Sequence, residues 1–397
     1  MKTILQDKHS SLQFGFTERC SPSNCSLIVT EAIAEAKDSG QQLFITMMDA
    51  KKAFDLVWHE SVLTQLHEEG VRGPLWETFV DMYSNIQSRV CIDGEISRPF
   101  QEQQGIRQGA ESSTEIFKVR VNPLLRMVAE NPDSMRIGGI RVGAPTCADD
   151  TCILTTDHLG AQTTLLIAQE DAEKERYEFS ATKTKVLLFN PAKNKIGKEN
   201  PPLFFNNSVL GYTKQETHLG MERTEDGRAS VTVKTRIQKA RRMGYSLMGA
   251  GMHGLNGLNP TVSISMINTY IVPALMYGLE TLRLSSSDYR ELSQYHQNLL
   301  RNILHLPKST AIAALYLMSG NLPAEALHHK NILKLFGNCL RRESSTEKAI
   351  IIRQLSMKEM DSSSWVILVR ELLYKYQLPS AFEIIEHPRQ SNDGRPP

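Results

Sequence analysis

The sequence predicts an α+β protein with its strands in the first half and helices dominating the second. Apolar residues make up 41% of the 397 positions and charged residues 22%, which is enough apolar material for a core and excludes a chain that is disordered throughout. Up to about residue 220, short apolar runs bounded by turn residues alternate with helical patterns. Helical periodicity then dominates to about Gln377, with a break at 249–260. We therefore expect two or three structural units, with a boundary near residue 221.

The individual elements follow from local patterns. A helical apolar stripe covers 27–37, and the apolar run 43–48 is expected to form a buried strand that ends at Asp49. A helical pattern spans 61–84 with glycine and proline interruptions, and another spans 109–130. Further elements are expected as strands at 140–144, 151–155 and 186–189, hairpins at 89–100 and 203–210, a helix at 162–177, a solvated loop at 190–202 and a disordered tail at 387–397.

Composition also limits the class of protein. Lys plus Arg number 45 and Asp plus Glu 44, so no overall field attracts a polyanion, and nucleic acid would have to bind to local basic patches. Six cysteines without a Cys-x-x-Cys pair favour a reducing compartment. The amino terminus does not have the pattern of a signal peptide, and no apolar stretch is expected to reach the length of a membrane span. We expect a soluble, intracellular protein.

Three acidic residues occupy unusual positions. Asp49 ends an apolar strand, and the adjacent pair Asp149 and Asp150 lies between two apolar segments. Two carboxylates about 4 Å apart repel by roughly 4 kcal/mol at an effective dielectric near 20, so their convergence requires a cation. A pair of Mg²⁺ ions would satisfy that requirement and would suit phosphoryl transfer. The alternative is a hairpin tip at which both side chains simply face water.

The segments around these acids resemble the palm motifs of reverse transcriptases from non-LTR, jockey-like retrotransposons. Asp49-Ala50-Lys51-Lys52-Ala53-Phe54-Asp55 resembles the first motif, and the other blocks occur in the family's order. Those blocks are Gln13-Phe14-Gly15-Phe16 ahead of the palm, Gly105-Ile106-Arg107-Gln108-Gly109 with Ser113 and Phe117, Ala148-Asp149-Asp150, Lys183-Thr184-Lys185, and His218-Leu219-Gly220.

The resemblance implies a role for each matching residue. Asp49, Asp149 and Asp150 would hold two Mg²⁺ ions, and Lys183 would lie near the leaving pyrophosphate as a candidate general acid. The nucleotide-binding residues would be Ala50, Phe54, Gln108 and Gly109. Of these, the Ala50 carbonyl would assist the metal site, and the Phe54 ring would exclude a 2′-hydroxyl. Without the resemblance, Phe54 would be an ordinary core aromatic, Gln108-Gly109 a helix entry, and Lys183 a surface lysine.

A basic stretch follows the last motif and contains no acidic residue between 228 and 242. It resembles a thumb helix that follows the template–primer backbone, which implies nucleic-acid contacts by Lys234, Arg236, Lys239, Arg241 and Arg242. A solvated helix face is the alternative interpretation.

The architecture that the resemblance implies is a right-hand polymerase palm, a ferredoxin-like antiparallel sheet with helices, followed by a helical thumb and a C-terminal helical region. The expected divisions are a residual fingers segment at 1–40, a palm at 41–220, a thumb at 221–300, a C-terminal helical region at 301–386 and a tail at 387–397. Only twelve residues precede Gln13, so the finger motifs that supply an Arg and a Lys for the triphosphate are absent, and the chain is expected to be truncated at the fingers.

Three hypotheses about function stay open at this point. The first is a working RNA-directed DNA polymerase that uses an RNA template, a DNA primer and a dNTP, with the nucleus as a possible location. The second is a non-catalytic remnant that binds nucleic acid, which the missing finger motifs favour. The third is another two-metal enzyme on a similar palm, such as a nucleotide cyclase, although the sequence contains no Gly-Gly-x-x-Phe turn.

Overall fold

The structure is a computed structural model that describes residues 1–107, 109–189, 200–253 and 256–387. It divides the chain into two compact units, one comprising Met1–Ala32 and Ser39–Lys214 and the other Ile33–Asp38 and Gln215–Pro397. Most of the expected loop at 190–202 and nearly all of the expected tail lie outside the described residues, as does Gln108. The finer division of the second unit into a thumb and a C-terminal region stays a prediction.

A five-stranded sheet forms the centre of the first unit. In chain order its strands are β1 (Leu43–Met48), β2 (Thr146–Cys147), β3 (Asp150–Thr155), β4 (Lys185–Phe189) and β5 (Tyr212–Thr213), and in space they run β5-β4-β1-β3-β2. β1 pairs antiparallel with both β3 and β4, whereas β4 and β5 are parallel. The predicted α+β class is therefore confirmed, with a mixed sheet in place of the expected antiparallel one.

The central position of β1 explains its composition. All six of its residues are buried, as expected for an apolar strand with neighbours on both sides. Phe44 of β1, Ile153 of β3 and Val186 of β4 share one core cluster with residues of two helices that accompany the sheet. The helices of this unit are Lys2–Leu5, Pro22–Ser39, of which Ile33–Asp38 groups with the second unit, His59–Glu68, Gly73–Tyr83, Glu111–Glu130 and His158–Lys174, with a 3₁₀ turn at Gln6–Lys8.

Short hairpins complete the first unit. They pair Gln87–Ser88 with Phe100–Gln101, Cys91–Ile92 with Glu95–Ile96, Arg136–Ile137 with Ile140–Arg141, and Leu203–Phe205 with Ser208–Leu210. The strand predicted at 140–144 is wrong beyond Arg141, because the partner of β3 is Thr146–Cys147. Val142 and Ala144 are fully buried without belonging to a strand. Their apolar side chains therefore indicate burial and not strand pairing.

The second unit begins with a hairpin before it becomes helical. Gln215–His218 pairs antiparallel with Met221–Thr224, so the expectation of helix from residue 221 is wrong for these four residues. Leu219 and Gly220 both have positive φ angles, 49° and 76°, and reverse the chain. The helices that follow are Ser230–Met248, Pro260–Met266, Val272–Met276, Ser286–Ile303, Ile312–Ser319, Ala324–Leu340, Thr346–Met357, Trp365–Lys375 and Ala381–Glu386, with a π segment at Ile267–Ile271 and a 3₁₀ turn at Leu279–Thr281.

One helical segment, Pro260–Thr281, is long and apolar enough to cross a membrane by length and composition, which corrects the expectation that no stretch reaches that length. Core helices of globular units pass the same test, and Ile267, Ile271 and Leu275 are fully buried in the core of the second unit. The π segment ends just before Pro273, which removes a backbone donor and crowds the preceding turn. Of its apolar 18-residue window 39% is buried, so its length and composition are weak evidence for a membrane span.

Candidate active site

The sheet brings together the three acidic residues singled out in the sequence. In the β1–β3 ladder Met48 is opposite Thr151, so the next residue along, Asp49, lies beside Asp150. Cys147 and Asp150 are paired across the tight connection between β2 and β3, and Asp149 lies within that connection. We call residues 147–150 the carboxylate turn. Residues a hundred positions apart thus meet because β1 ends where its antiparallel partner β3 begins.

The electrostatics of the carboxylate turn reflect this crowding. Partial burial raises the pKa of Asp150, and the negative charges of Asp149 and then Asp49 raise it further, although much of the residue is exposed. Burial, followed by the charges of Asp150 and Asp149, raises the pKa of the Cys147 thiol to about 11. The thiol is therefore protonated at neutral pH, and the acids carry the negative charge of the site.

Lys183 lies at the same edge. Its Nζ donates a hydrogen bond of 3.1 Å to Oδ2 of Asp49, and the two side chains are 68% and 40% exposed. An ion pair this exposed contributes at most about 1 kcal/mol, so either partner is free to exchange it for another ligand at little cost. Among the described residues, no three His, Cys, Asp or Glu side chains are grouped closely enough to hold a metal ion as they stand.

The backbone on both sides of Ala50 is tied to the segment that precedes Lys183. Ser180 N–H donates to the Asp49 carbonyl at 2.9 Å, and Lys51 N–H donates to the Glu178 carbonyl at 2.9 Å. These bonds use the Asp49 carbonyl and the Lys51 amide and not the carbonyl of Ala50, the group to which the resemblance gives a role. The first and fourth motifs are therefore fixed relative to each other.

A cluster of buried charged side chains contacts the same segment. Tyr177 donates from its hydroxyl to Asp171 at 2.9 Å, and the Arg120 guanidinium lies 4.6 Å from the centre of the Tyr177 ring. Burial raises the pKa of Asp171, which the charge of Arg120 opposes. Arg120 also approaches Glu175 at 3.7 Å. Paired in this way, the buried charges hold Tyr177 two residues before Phe179, the backbone partner of Ala50.

Phe54 belongs to a small aromatic cluster beside the first motif. Its half-buried ring stacks on Phe117 with the centroids 4.3 Å apart, and Phe16 meets it edge-on at 5.9 Å. The second motif is tied to the same place, because Ile106 N–H donates to the Phe54 carbonyl at 2.9 Å. Gly109, three residues further on, is exposed with φ of 89°, and a Cβ built there meets nothing within 4 Å. Gln108 lies outside the described residues.

The five basic residues predicted to contact nucleic acid lie on the Ser230–Met248 helix, which we call the basic helix. Four of them are exposed, namely Lys234, Lys239, Arg241 and Arg242. Arg236 differs, because it is only 5% exposed and donates a hydrogen bond to the Gly220 carbonyl. Its guanidinium also lies 4.5 Å from the centre of the Tyr277 ring. Arg236 is thus engaged within the second unit.

Sequence reasoning noted the Gln13 segment but gave its side chain no role. In the structure Gln13 is 2% exposed and its amide is bonded to the backbone of the carboxylate turn. The available signal was the position of Gln13 in a block of motif residues, together with an uncharged polar residue between Leu12 and Phe14. No local pattern shows that such a residue meets position 148.

Two solved structures resemble the whole chain at low similarity. Apo telomerase from Candida tropicalis aligns with a TM-score of 0.45 and 9% identity, covering 98% of this chain and 58% of that one. Telomerase from Candida albicans, in complex with a TWJ fragment of telomeric RNA, aligns with a TM-score of 0.41 and 12% identity, covering 98% and 55%.

Similar sequences come from insect retrotransposable elements. The Retrovirus-related Pol polyprotein from the type-1 retrotransposable element R2 of Nasonia vitripennis is 25% identical over 295 residues, which is 73% of this chain and 28% of that protein. The corresponding R2 protein of Bradysia coprophila is 24% identical over 301 residues, 73% of this chain and 32% of that protein. The chain thus spans less than a third of the length of these relatives.

A family comparison covers more than half of the chain. The family described as reverse transcriptase (RNA-dependent DNA polymerase) matches residues 1–223, which contain every motif block identified in the sequence. With the R2 relatives, this match confirms the resemblance to non-LTR retrotransposon reverse transcriptases. The jockey-like subtype and the truncation at the fingers stay predictions. The chain belongs to the reverse transcriptase (RNA-dependent DNA polymerase) family.

Proposed function

We propose that this chain is the polymerase portion of an RNA-directed DNA polymerase from a retroelement, acting as a soluble intracellular nucleotidyltransferase. It would join a deoxynucleotide to a primer 3′-hydroxyl, using an RNA template and a DNA primer. The observation that carries the proposal is the meeting of Asp49, Asp149 and Asp150 at one edge of the sheet, within a region that matches the family throughout.

The three carboxylates fit a pair of Mg²⁺ ions by their chemistry. Carboxylate oxygens are the ligands that Mg²⁺ prefers. Burial first, and then the charges of Asp149 and Asp49, raise the pKa of Asp150, and a divalent cation would neutralise those charges. Asp49, Asp149 and Asp150 would hold the ions, with Asp49 released from its weak ion pair with Lys183. When bound, such ions would lower the pKa of the attacking hydroxyl and stabilise the leaving oxygen.

Lys183 would then act on the leaving group. Its ammonium group lies within hydrogen-bond distance of Asp49, so it is at the site and carries one proton that it can transfer. Once released from Asp49, the group would give a proton to the departing pyrophosphate as a general acid.

Phe54, Ala50, Gln108 and Gly109 would form the deoxynucleotide site. The stacking of Phe54 on Phe117 restrains its ring, which is the property needed to exclude a 2′-hydroxyl by shape. The exposed, side-chain-free surface at Gly109 would let a nucleotide approach the backbone.

The exposed cations of the basic helix would contact the template and primer backbones. Lys234, Lys239, Arg241 and Arg242 all reach solvent, and each phosphate that a protein contacts releases bound counterions. Arg236 is assigned a structural part because its guanidinium is bonded to Gly220.

Primer extension tests this proposal. The purified chain should incorporate dNTPs on an RNA template with Mg²⁺, and Asp149→Asn should lower the rate at least about 100-fold because it removes a charge that the transition state requires. The matched control is Asp93→Asn, which changes an exposed acid at a hairpin tip and should leave the rate unchanged. Incorporation that is equal in wild type and Asp149→Asn would refute the assignment of this site.

A second candidate is a non-catalytic remnant that binds nucleic acid. It is favoured by the Asp49–Lys183 ion pair and by the absence of a ready metal-binding group among the described residues. It predicts salt-sensitive binding without incorporation, with a lower salt dependence when Lys239 and Arg242 are replaced by Ala. Templated synthesis by the wild-type chain would exclude it.

A further inference from the structure

The carboxylate turn adopts a conformation that needs support. Ala148 has φ of 60°, in the left-handed region that residues with a side chain adopt rarely. Asp149 and Asp150 follow directly, so the direction of both carboxylates depends on the turn keeping this conformation. Repulsion between the acids acts against it. Something outside the turn has to hold the peptide groups of Ala148 in place.

Gln13 makes the contacts that this task requires. Its Oε1 accepts a hydrogen bond from Ala148 N–H at 3.0 Å, and its Nε2 donates to the Ala148 carbonyl at 3.2 Å. The same Oε1 accepts from Gly15 N–H at 2.8 Å, which orients the amide. The side chain is 2% exposed, so water does not compete for these bonds.

The backbone around Gln13 is itself fastened beside β2. Phe14 N–H donates to the Thr146 carbonyl at 2.8 Å, and Thr146 N–H donates to the Leu12 carbonyl at 2.8 Å. At Gly15 a Cβ would lie 2.0 Å from Ala148 N, so only glycine allows the two backbones to approach this closely. The segment 12–15 is therefore fixed relative to the carboxylate turn, and the Gln13 amide is held within hydrogen-bond distance of Ala148.

The chemistry of the side chain suits its neighbours. A glutamine amide carries both a donor and an acceptor, which the two backbone groups of Ala148 require together. It is uncharged, so it neither adds to the repulsion among the acids nor offers them a cation in competition with Mg²⁺. Glutamate would lose the donor and add a negative charge, and lysine or arginine could not accept from Ala148 N–H.

We propose that Gln13 is a positioning residue that holds the carboxylate turn, and with it Asp149 and Asp150, in the arrangement needed for synthesis. The consequence for synthesis rests on the proposed function, whereas the hold on the turn is a property of the folded chain alone. Gly15 is part of the same device, because the Gln13 amide reaches Ala148 only where the two backbones lie this close.

The test compares Gln13→Ala with Gln65→Ala in the full chain. Gln65 is a buried glutamine of the same unit, on the His59–Glu68 helix and outside the site, so it controls for the loss of a buried amide. Hydrogen exchange measured by mass spectrometry on peptides covering 146–151 should rise about tenfold in Gln13→Ala and stay at the wild-type level in Gln65→Ala. Gln13→Glu keeps the acceptor and should give an intermediate rise.

Primer extension supplies the second readout. In Gln13→Ala, kcat should fall at least about tenfold while KM for dNTP stays within about twofold, because the turn bears metal ligands and not the nucleotide contacts. Gly15→Ala should lower kcat in the same way while leaving the Gln13 side chain present. Should Gln13→Ala fail to fold, Gln13→Glu and Gly15→Ala carry both measurements.

The outcomes separate the two proposals. Exchange in 146–151 that is unchanged in Gln13→Ala, or that rises equally along the whole chain, would overturn the role of Gln13. A local rise in exchange with unchanged kcat would overturn its importance for synthesis. If the wild-type chain incorporates no dNTP, the proposed function fails for this chain, and the exchange experiment still decides whether Gln13 holds the turn.

Discussion

Two turns are each stabilised by a side chain from elsewhere in the sequence, but the two side chains differ in charge. They are the carboxylate turn of the first unit and the turn at Leu219-Gly220 in the second unit. Both contain left-handed residues, Ala148 in one and Leu219 with Gly220 in the other. Both have a backbone carbonyl held by a side chain remote in sequence. The holder is a neutral amide, Gln13, in the first case. It is a cation, Arg236, in the second.

The difference follows from what each turn carries. The carboxylate turn bears two acids that a cationic side chain would neutralise, so the neutral amide of Gln13 leaves their charge unchanged. The Leu219-Gly220 turn carries no acid, and there Arg236 serves as a strong donor. Burial lowers the pKa of Arg236, while the Tyr277 side chain is the largest influence that opposes the shift. The carboxylate turn is thus held by an uncharged side chain, and the turn without acids is held by a charged one.

The two turns also respond to pH in opposite directions. The raised pKa of Asp150 means that the folded state holds this proton more tightly than the unfolded state, so its contribution favours folding at low pH and is lost as pH rises. At His218 burial, followed by the charge of Arg223, lowers the pKa to about 3. The unfolded state therefore takes up the proton first, and stability is lost as pH falls below the unfolded value.

The largest effect on this comparison is expected from Arg236→Met. The change leaves the half-buried Gly220 carbonyl without its charged donor, which should cost about 1.5–3 kcal/mol of unfolding free energy. Urea unfolding measures it, with Arg242→Met as the control because that residue is exposed on the same helix and should change stability by no more than about 0.5 kcal/mol. Equal losses in the two variants would show that Arg236 does not hold the turn.

Acid sensitivity tests the contrast in charge. His218 should contribute a loss of up to about 1.4 kcal/mol of stability for each pH unit below 6.5, as the unfolded state protonates its ring; the losses from His296 and His328, whose pKa values burial lowers to about 4, add to it. Calorimetric melting at pH 7.5 and 5.5 should show a smaller difference in His218→Leu, since neither ring nitrogen of His218 has a hydrogen-bond partner among the described residues. The exposed His67→Gln serves as control. An undiminished pH dependence in His218→Leu would contradict the explanation.

The smallest effect is expected from Tyr277→Phe. The Tyr277 hydroxyl donates to the Leu219 carbonyl at 3.2 Å, but the residue is 39% exposed, so water can replace the bond. The expected loss is about 0.5 kcal/mol, because the ring under Arg236 remains. Tyr245→Phe, an exposed hydroxyl on the basic helix, provides the matched comparison in urea unfolding. A loss of unfolding free energy as large as that of Arg236→Met would show that the Tyr277 hydroxyl, and not Arg236, is the main contact that stabilises the turn.

Local patterns predicted the elements whose determinants are local. The strand at Leu43–Met48 and the hairpin of Leu203–Phe205 with Ser208–Leu210 are where the sequence predicted them, because a mostly apolar run and an Asn-Asn turn specify them. Of the strand predicted at 140–144, only Ile140–Arg141 is a strand, and it pairs with Arg136–Ile137. The apolar residues that follow, such as Val142, are buried without pairing in a strand. β3 instead pairs, across the turn at Ala148, with Thr146–Cys147.

The candidate site divides in the same way. The sequence singled out Asp49, Asp149 and Asp150 because acids at the ends of apolar strands are unusual, and the sheet register brings them together. It did not separate Arg236 from its basic neighbours, since all of them share one helix. Only the Gly220 carbonyl, which approaches from another element, distinguishes the buried guanidinium from the exposed ones.

By itself the sequence determined the α+β class and the family and identified candidate residues for binding metal and phosphate, because these depend on residue types in a fixed order along the chain. The tertiary structure decided which of them act on one another. It brought Asp49 beside Asp150, turned Arg236 inward and laid Gln13 against Ala148. Such contacts join residues far apart in sequence, and their energies depend on distance and burial, which chain order does not contain.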